Sequence, residues 1–282
     1  MSVTIGINGF GRIARCLTRI VHAAPEPSTA RPSATPAPAV AAPVRGGSSL
    51  VRAQLPGVDL QGAKLQGIAL DEANFEGASL EGADLRDASL AEANLVGARL
   101  VSANFVGADL TAANLTAADL TGAAFDDAKL GEAQLVDTNI EGARFPRASL
   151  VRASFEKAHG NNVELSNATA TDAFFDGASL PGLRAAKADL SGASAKHAQL
   201  PGLDATQAKL RRARFEKTDL KGANFTEASL DDHAQREAGH ELREQARALR
   251  PDLAADEQAI ALVGVPEPVG RKRDLVGRDR LH

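Results

Sequence analysis

Residues 78–100 read ASLEGADLRDASLAEANLVGARL. An Ala and a Leu two positions apart form a pair, and the pair returns every five residues. Followed outward in both directions, the phase never breaks. From Leu55 to Leu230 every position divisible by five is a centre of this kind, which makes 36 sites, and 31 of them hold Leu, Phe or Ile. The exceptions are Gly160, Ala170, Ala185, Ala195 and Ala205. Two residues before the centres, 29 of the 36 positions are Ala.

A period of five fits neither regular element alone. Helix faces recur about every 3.6 residues and strand faces every 2. Five residues with two inward positions form one side of a square coil, provided the chain bends after each centre. Between 53 and 230 there are 16 Gly, and 14 of them lie two residues after a centre. Glycine is favoured there because such bends require positive φ. Pro56, Pro181 and Pro201 each precede one of these glycines, the signature of a type II turn.

The pattern resembles the pentapeptide-repeat family, A(D/N)Lxx, with GADLR and AEANL as clear units. The resemblance implies an all-β solenoid: a right-handed quadrilateral β-helix with four units per coil. On that basis 36 units form about nine coils. At the roughly 4.8 Å spacing of β ladders the rod is roughly 40 Å tall. The sequence carries its own sign of a 20-residue coil. Phe105, Phe125 and Phe145 are 20 apart, as are Phe155 and Phe175. Leu183 with Ala185 inverts the small-then-large order, and Leu203 with Ala205 inverts it again 20 residues later. A repeated inversion on one face conserves core volume, which close packing requires. Gly160, Asn161 and Asn162 predict a loop or bulge, a feature able to act in binding.

Composition excludes other classes. Aromatic residues make up 4% of the 282 residues, with no Trp and no Tyr, so the interior is filled by smaller, uniform side chains. Cys16 is the single cysteine, which excludes an internal disulfide framework and a cysteine-based metal cluster. No apolar run approaches the ~20 residues a membrane span needs, and the N-terminus lacks the unbroken apolar stretch of a secretory signal. These features predict a cytoplasmic protein, bacterial in type. Arg12, Arg15 and Arg19, with no acidic residue before Glu26, also overlap the pattern of organelle transit peptides.

Outside the repeat the chain divides by composition. Residues 1–22 are apolar, basic and Gly-rich, and 23–50 form a Pro/Ala-rich linker. Residues 51–230 form the solenoid, 231–264 a helical cap and 265–282 a charged, basic tail. Solenoids need capped ends. Ala234, Ala238, Leu242, Leu249 and Leu253 share a helical face, Pro251 ends that helix, and Gly264 stops a second short one. The resemblance extends to C-terminal elements that join two solenoids, so a homodimer through the cap is one expectation.

Residues 4–15, TIGINGFGRIAR, resemble the opening of glyceraldehyde-3-phosphate dehydrogenase. That family's dinucleotide fingerprint maps onto Gly6, Gly9, Gly11 and Ala14, where Ala14 replaces a usual Gly. A working site also needs a βαβ unit and an acidic ribose ligand ~20 residues on. Here the Pro/Ala stretch follows instead, so the segment is read as an isolated fragment without a cofactor. A nicotinamide-dependent dehydrogenase stands only as the enzymatic alternative. His233, Glu237 and His240 have spacing that suits zinc, but no fourth ligand accompanies them and they read as a solvated face. His159 and His197 stand alone on the exterior. The reading is of a non-enzyme without metal or cofactor.

Charge supplies the candidate partner surface. Residues 53–140 carry 14 acidic and 4 basic side chains, a net of −10, whereas 141–230 carry 10 and 13, a net of +3. Asp84, Asp87, Asp109, Asp119, Asp126 and Asp127 represent the acidic half. Arg211, Arg212 and Arg214, with Lys217 and Lys221, represent the basic end. The leading expectation is a protein-binding scaffold or adaptor with an unidentified protein partner. No direct contact with nucleic acid or membrane is expected, since no aromatic residue is placed for base stacking. One group within the family resembles B-form DNA in width and acidity and binds DNA gyrase, countering quinolones. Binding to gyrase or another topoisomerase is therefore the alternative.

Overall fold

A computed structural model describes residues 49–230. The dehydrogenase-like fragment, the helical cap, the basic tail and the trio His233, Glu237 and His240 lie outside the described residues.

Parallel bridges join each outward residue to the one 20 positions later, beginning with Ser49↔Ala69 and ending with Lys209↔Ser229. One coil therefore takes 20 residues, and its four sides each take five. We number the faces by their outward columns: face 1 runs through Ser49, Ala69 and Ser89, face 2 through Gln54, Asn74 and Asn94, face 3 through Asp59, Ser79 and Arg99, and face 4 through Lys64, Asp84 and Asn104. The Ser49↔Ala69 bridge and the burial of Leu50 place both residues in the coil, inside the stretch assigned to the linker. No α-helix occurs among the described residues.

The corner geometry explains the period. The N–H of the residue three beyond a centre donates to that centre's carbonyl, as Ala108 does to Phe105 at 2.9 Å. The residue two beyond the centre has positive φ, near 60°, whether it is Gly77 or Asp87. Gly57, Gly182 and Gly202 behind their prolines have φ of 65°, 68° and 72°, as type II turns require. Left-handed backbone costs a non-glycine residue roughly 1–2 kcal/mol. The corners that lack glycine accept that cost because the inter-coil ladder is closed only in this geometry.

At Gly160 the expected loop or bulge is a bend in place of a turn, with no inserted residue. Bridges Asn139↔His159 and His159↔Ser179 continue through it. Gly160 has φ of 152°, and a Cβ there would meet the Glu141 backbone nitrogen at 2.4 Å. Close backbone approach therefore requires glycine at this centre.

Inside the coil, centres and their small partners form continuous buried columns. Phe105 stacks on Phe125 and Phe125 on Phe145, both at 4.8 Å with rings near parallel. Phe155 stacks on Phe175 at 5.0 Å. These distances match the ladder spacing of about 4.8 Å, so the ring stacks have the pitch of the backbone. The inverted pairs Leu183–Ala185 and Leu203–Ala205 are all buried. In the Phe155–Phe175 column the next centre is Ala195, followed by Phe215. The missing ring leaves an apolar cavity of about 20 Å³ lined by Phe175, Leu190, Ala195 and Phe215 among others.

Leu110 is fully buried and Asp87 is exposed. Leu110→Asp should therefore destabilise by about 4 kcal/mol or more, while Asp87→Ala should stay within about 0.5 kcal/mol. Urea unfolding of both variants checks this, and equal effects would contradict the inward assignment. Ala195→Val should fill the cavity and add about 1 kcal/mol, raising Tm by about 2–4 °C. Ala185→Val, away from the cavity, should lower Tm.

Candidate interaction surface

A unit without proline has five backbone N–H groups, and in most such units four of them have fixed backbone partners. In residues 104–108, Asn104 donates to Ala83 of the preceding coil, Phe105 and Gly107 donate to Ala124 and Asp126 of the next, and Ala108 closes the turn. The fifth, Val106 N–H, is accepted by the Asn104 side chain at 3.1 Å. A buried or half-buried donor needs such a partner. The outward Asp or Asn is thus a corner cap that supplies the one bond the ladder omits.

This role covers three of the sequence-selected acids. Asp84, Asp109 and Asp119 accept from the N–H groups of Arg86, Thr111 and Thr121. Asp84 also takes two bonds of 2.8 Å from the Arg86 guanidinium. Those bonds hold its carboxyl below the usual carboxylate range, against the upward push of partial burial. Burial pushes Asp109 up, but Thr111 and Lys129 more than offset it, and its pKa is lowered.

Asp126 and Asp127 occupy the corner between faces 4 and 1. Asp126 pairs with Arg144 at 3.1 Å and Asp127 with Arg147 at 2.7 Å. The Arg147 guanidinium lowers the pKa of Asp127. Asp87 lies in the same corner column with its Oδ1 over Gly107. The structure therefore gathers Asp84, Asp87, Asp109, Asp126 and Asp127 along one edge, while Asp119 lies on face 3, opposite face 1. From Lys64 to Ser149, faces 4 and 1 with their shared corner also hold Lys64, Arg86, Lys129, Arg144 and Arg147. Five cations balance five carboxylates, so this edge carries no net charge.

The arginines stay together. Arg211 and Arg212 form the corner leading into face 2, and Arg214 is that face's outward residue in the same coil, all three exposed. Sequence reasoning missed Phe174, an outward residue of face 2 that is 37% exposed. The signal was present: it stands one place before a centre, where the column otherwise holds polar residues.

A β-solenoid of square coils built on five-residue sides defines a class of repeat protein. The family description "Pentapeptide repeats" matches in eight copies, spanning residues 46–142 and 161–227, and the chain belongs to that family. The solenoid is accordingly a right-handed β-helix. The chain matches no curated protein. Among solved structures it is similar to HetL, a pentapeptide repeat protein involved in heterocyst differentiation regulation in the cyanobacterium Nostoc. The identity is 26%, covering 66% of this chain and 88% of that one, with a TM-score of 0.43. It is also similar to QnrB1, a plasmid-mediated fluoroquinolone resistance protein, at 20% identity over 69% and 97% of the two chains and a TM-score of 0.34. A third is a thylakoid-lumen pentapeptide repeat protein of Arabidopsis thaliana, at 22% identity over 50% and 74%, TM-score 0.25. No helix among the described residues is long and apolar enough to cross a membrane.

Asn at position 84 would keep the corner cap, as Asn104 shows in the next coil, and would lose the charged pair with Arg86. The depressed pKa of Asp84 means that its stabilisation is present above the ordinary aspartate value near 3.9 and is lost as pH falls through the lower folded value. Asp84→Asn should therefore lower Tm at pH 7, and the gap to the parent should close as pH falls below about 4. Calorimetry at a series of pH values checks this. A gap that stays constant would remove the Arg86 pair as its cause.

Proposed function

We propose that this protein is a non-catalytic scaffold or adaptor that binds another protein through the outside of its solenoid. The observation that supports this is the division of labour within the five-residue unit. Two inward positions, the backbone ladder and the outward corner caps hold the coil, and the exterior residues without such a task are free to differ between coils. Along face 2 the outward column changes from Asn and Gln through Phe174 to Arg214. A rigid support with such a varied exterior suits recognition, and stiffness limits the ordering cost on binding. In this reading the rod has about nine coils, and residues 231–264 form its cap and the contact of a homodimer.

The alternative is a DNA-mimic that binds gyrase or another topoisomerase, motivated by the net −10 of residues 53–140. The ion pairs along the edge between faces 4 and 1 weigh against it. Uniform negative potential is what phosphate mimicry requires, and that edge has balanced charge.

Affinity capture from a native lysate at 50 mM salt, followed by mass spectrometry, should recover a protein partner. Its association with the purified protein should slow as salt rises from 50 to about 300 mM, because steering between charged surfaces is screened. Binding insensitive to salt would remove charge as the basis of recognition. Recovery of gyrase, with competition from DNA, would establish the alternative.

A further inference from the structure

We propose that face 2 is the docking surface, and that its partner is a protein whose contact patch is basic at one end, apolar at a central pocket and acidic at the other. This rests on the scaffold reading and assigns the side of the rod that carries it.

The acidic excess of the first half lies around this face. Over residues 51–137, face 2 and its two corners hold Asp71, Glu72, Glu76, Glu92, Glu132 and Asp137 against Arg52 alone, six acids and one base, a net of −5. Two of these acids are neutralised locally: Glu72 by Arg52 and Glu132 by Arg152. Glu76, Glu92 and Asp137 are exposed, and no ion pair with another described residue includes them. Between the acidic rims runs an uncharged amide ladder. Asn94 donates to Asn74 at 3.0 Å, and Asn74 donates to Gln54 at 3.2 Å. That strip offers hydrogen bonds without a competing internal cation.

Phe174 stands further along the same column. It and Val51 are the two exposed large hydrophobic residues among the described residues. The coils on either side place Ser154 and Ser194 next to it in the column, 6% and 2% exposed. A ring flanked by small side chains forms a ridge, which suits insertion into a partner's pocket. Aromatic and arginine side chains are the residues that most often dominate interface energy. Two coils beyond lies Arg214, with Arg211 at the adjoining corner, and no ion pair with another described residue includes either. At about 4.8 Å per coil, Asn94 to Phe174 spans roughly 19 Å and Phe174 to Arg214 roughly 10 Å. Acid, aromatic and base thus follow in order along one flat face of roughly the length of a standard protein interface.

The test places p-benzoylphenylalanine in the full-length chain, in its own cells, at Phe174 and Asn94 on face 2 and at Asn104 and Ala124 on face 4. The expected result is one adduct of the same mass from both face 2 positions and none from face 4. With Glu76→Gln, Glu92→Gln and Asp137→Asn combined, the adduct at 94 should fall at least tenfold. Titration with a fluorescent deca-arginine peptide supplies a second reading. The triple variant should bind it at least threefold more weakly, whereas Asp126→Asn with Asp127→Asn should leave it unchanged. Circular dichroism confirms the fold of each exposed variant. Adducts from face 4 alone would overturn the assignment and leave the scaffold reading standing. No adduct from any position would overturn both. An adduct with the mass of two copies of this chain would overturn the occupant, and equal peptide affinities would overturn the acidic end.

Discussion

Backbone N–H groups of each coil donate to carbonyls of its neighbours and so bridge residues 20 apart, and every other feature is set to that ladder. Phe105 N–H reaches Ala124 at 2.7 Å, and Asn104 N–H reaches back to Ala83 at 2.9 Å. For the bonds to repeat, each side must have the same length and each corner the same turn. Positive φ therefore recurs at corners such as Glu72, Asp127 and Lys187, where the side chain disfavours it. The strain at one corner is offset by bonds to the coils on both sides. A coil at the end of the stack keeps half of those bonds and an isolated coil has none, so stability accrues with stacking.

The ladder also dictates the core. Columns repeat at the pitch of the backbone, so a side chain meets its like from the next coil. Flat rings accept that arrangement at 4.8 Å in Phe105, Phe125 and Phe145. Where two columns adjoin, the rings meet edge to face, as Phe145 and Phe155 do at 5.7 Å. Polar intrusions are satisfied locally: the buried Thr138 hydroxyl donates to Leu135 and the Thr218 hydroxyl to Ala195. Ala195 breaks the ring column without a compensating large neighbour, and the cavity there is the consequence.

Outside, structure and recognition compete for the same positions. An outward Asp or Asn caps the corner N–H two residues on, which gives the family its preference for those residues. Where the outward residue is Ser194, Asp176 of the preceding coil takes over, accepting from the Ser194 hydroxyl at 2.6 Å and the Lys196 N–H at 2.8 Å. Charge at such sites reports on the fold before it reports on a partner. The residues with no structural task, such as Glu76, Glu92 and Phe174, are the ones that single out face 2.

The amino-acid sequence by itself determined the unit, its phase, the inward and outward positions, the glycine corners and the 20-residue coil. Each of these is written as a period, and a period in one chain translates directly into a column once the backbone ladder closes. The family resemblance supplied the handedness. What only the tertiary structure decided was which outward residues meet across coils. Asp126 and Arg144, or Asp127 and Arg147, are separated by 18 and 20 residues and become ion pairs only when the coils stack. Summed along the chain, the first half is strongly acidic; sorted by face, that charge cancels on one edge and remains around another. A linear count cannot make that distinction, because electrostatic energy depends on distance through space and the solenoid brings every twentieth residue together.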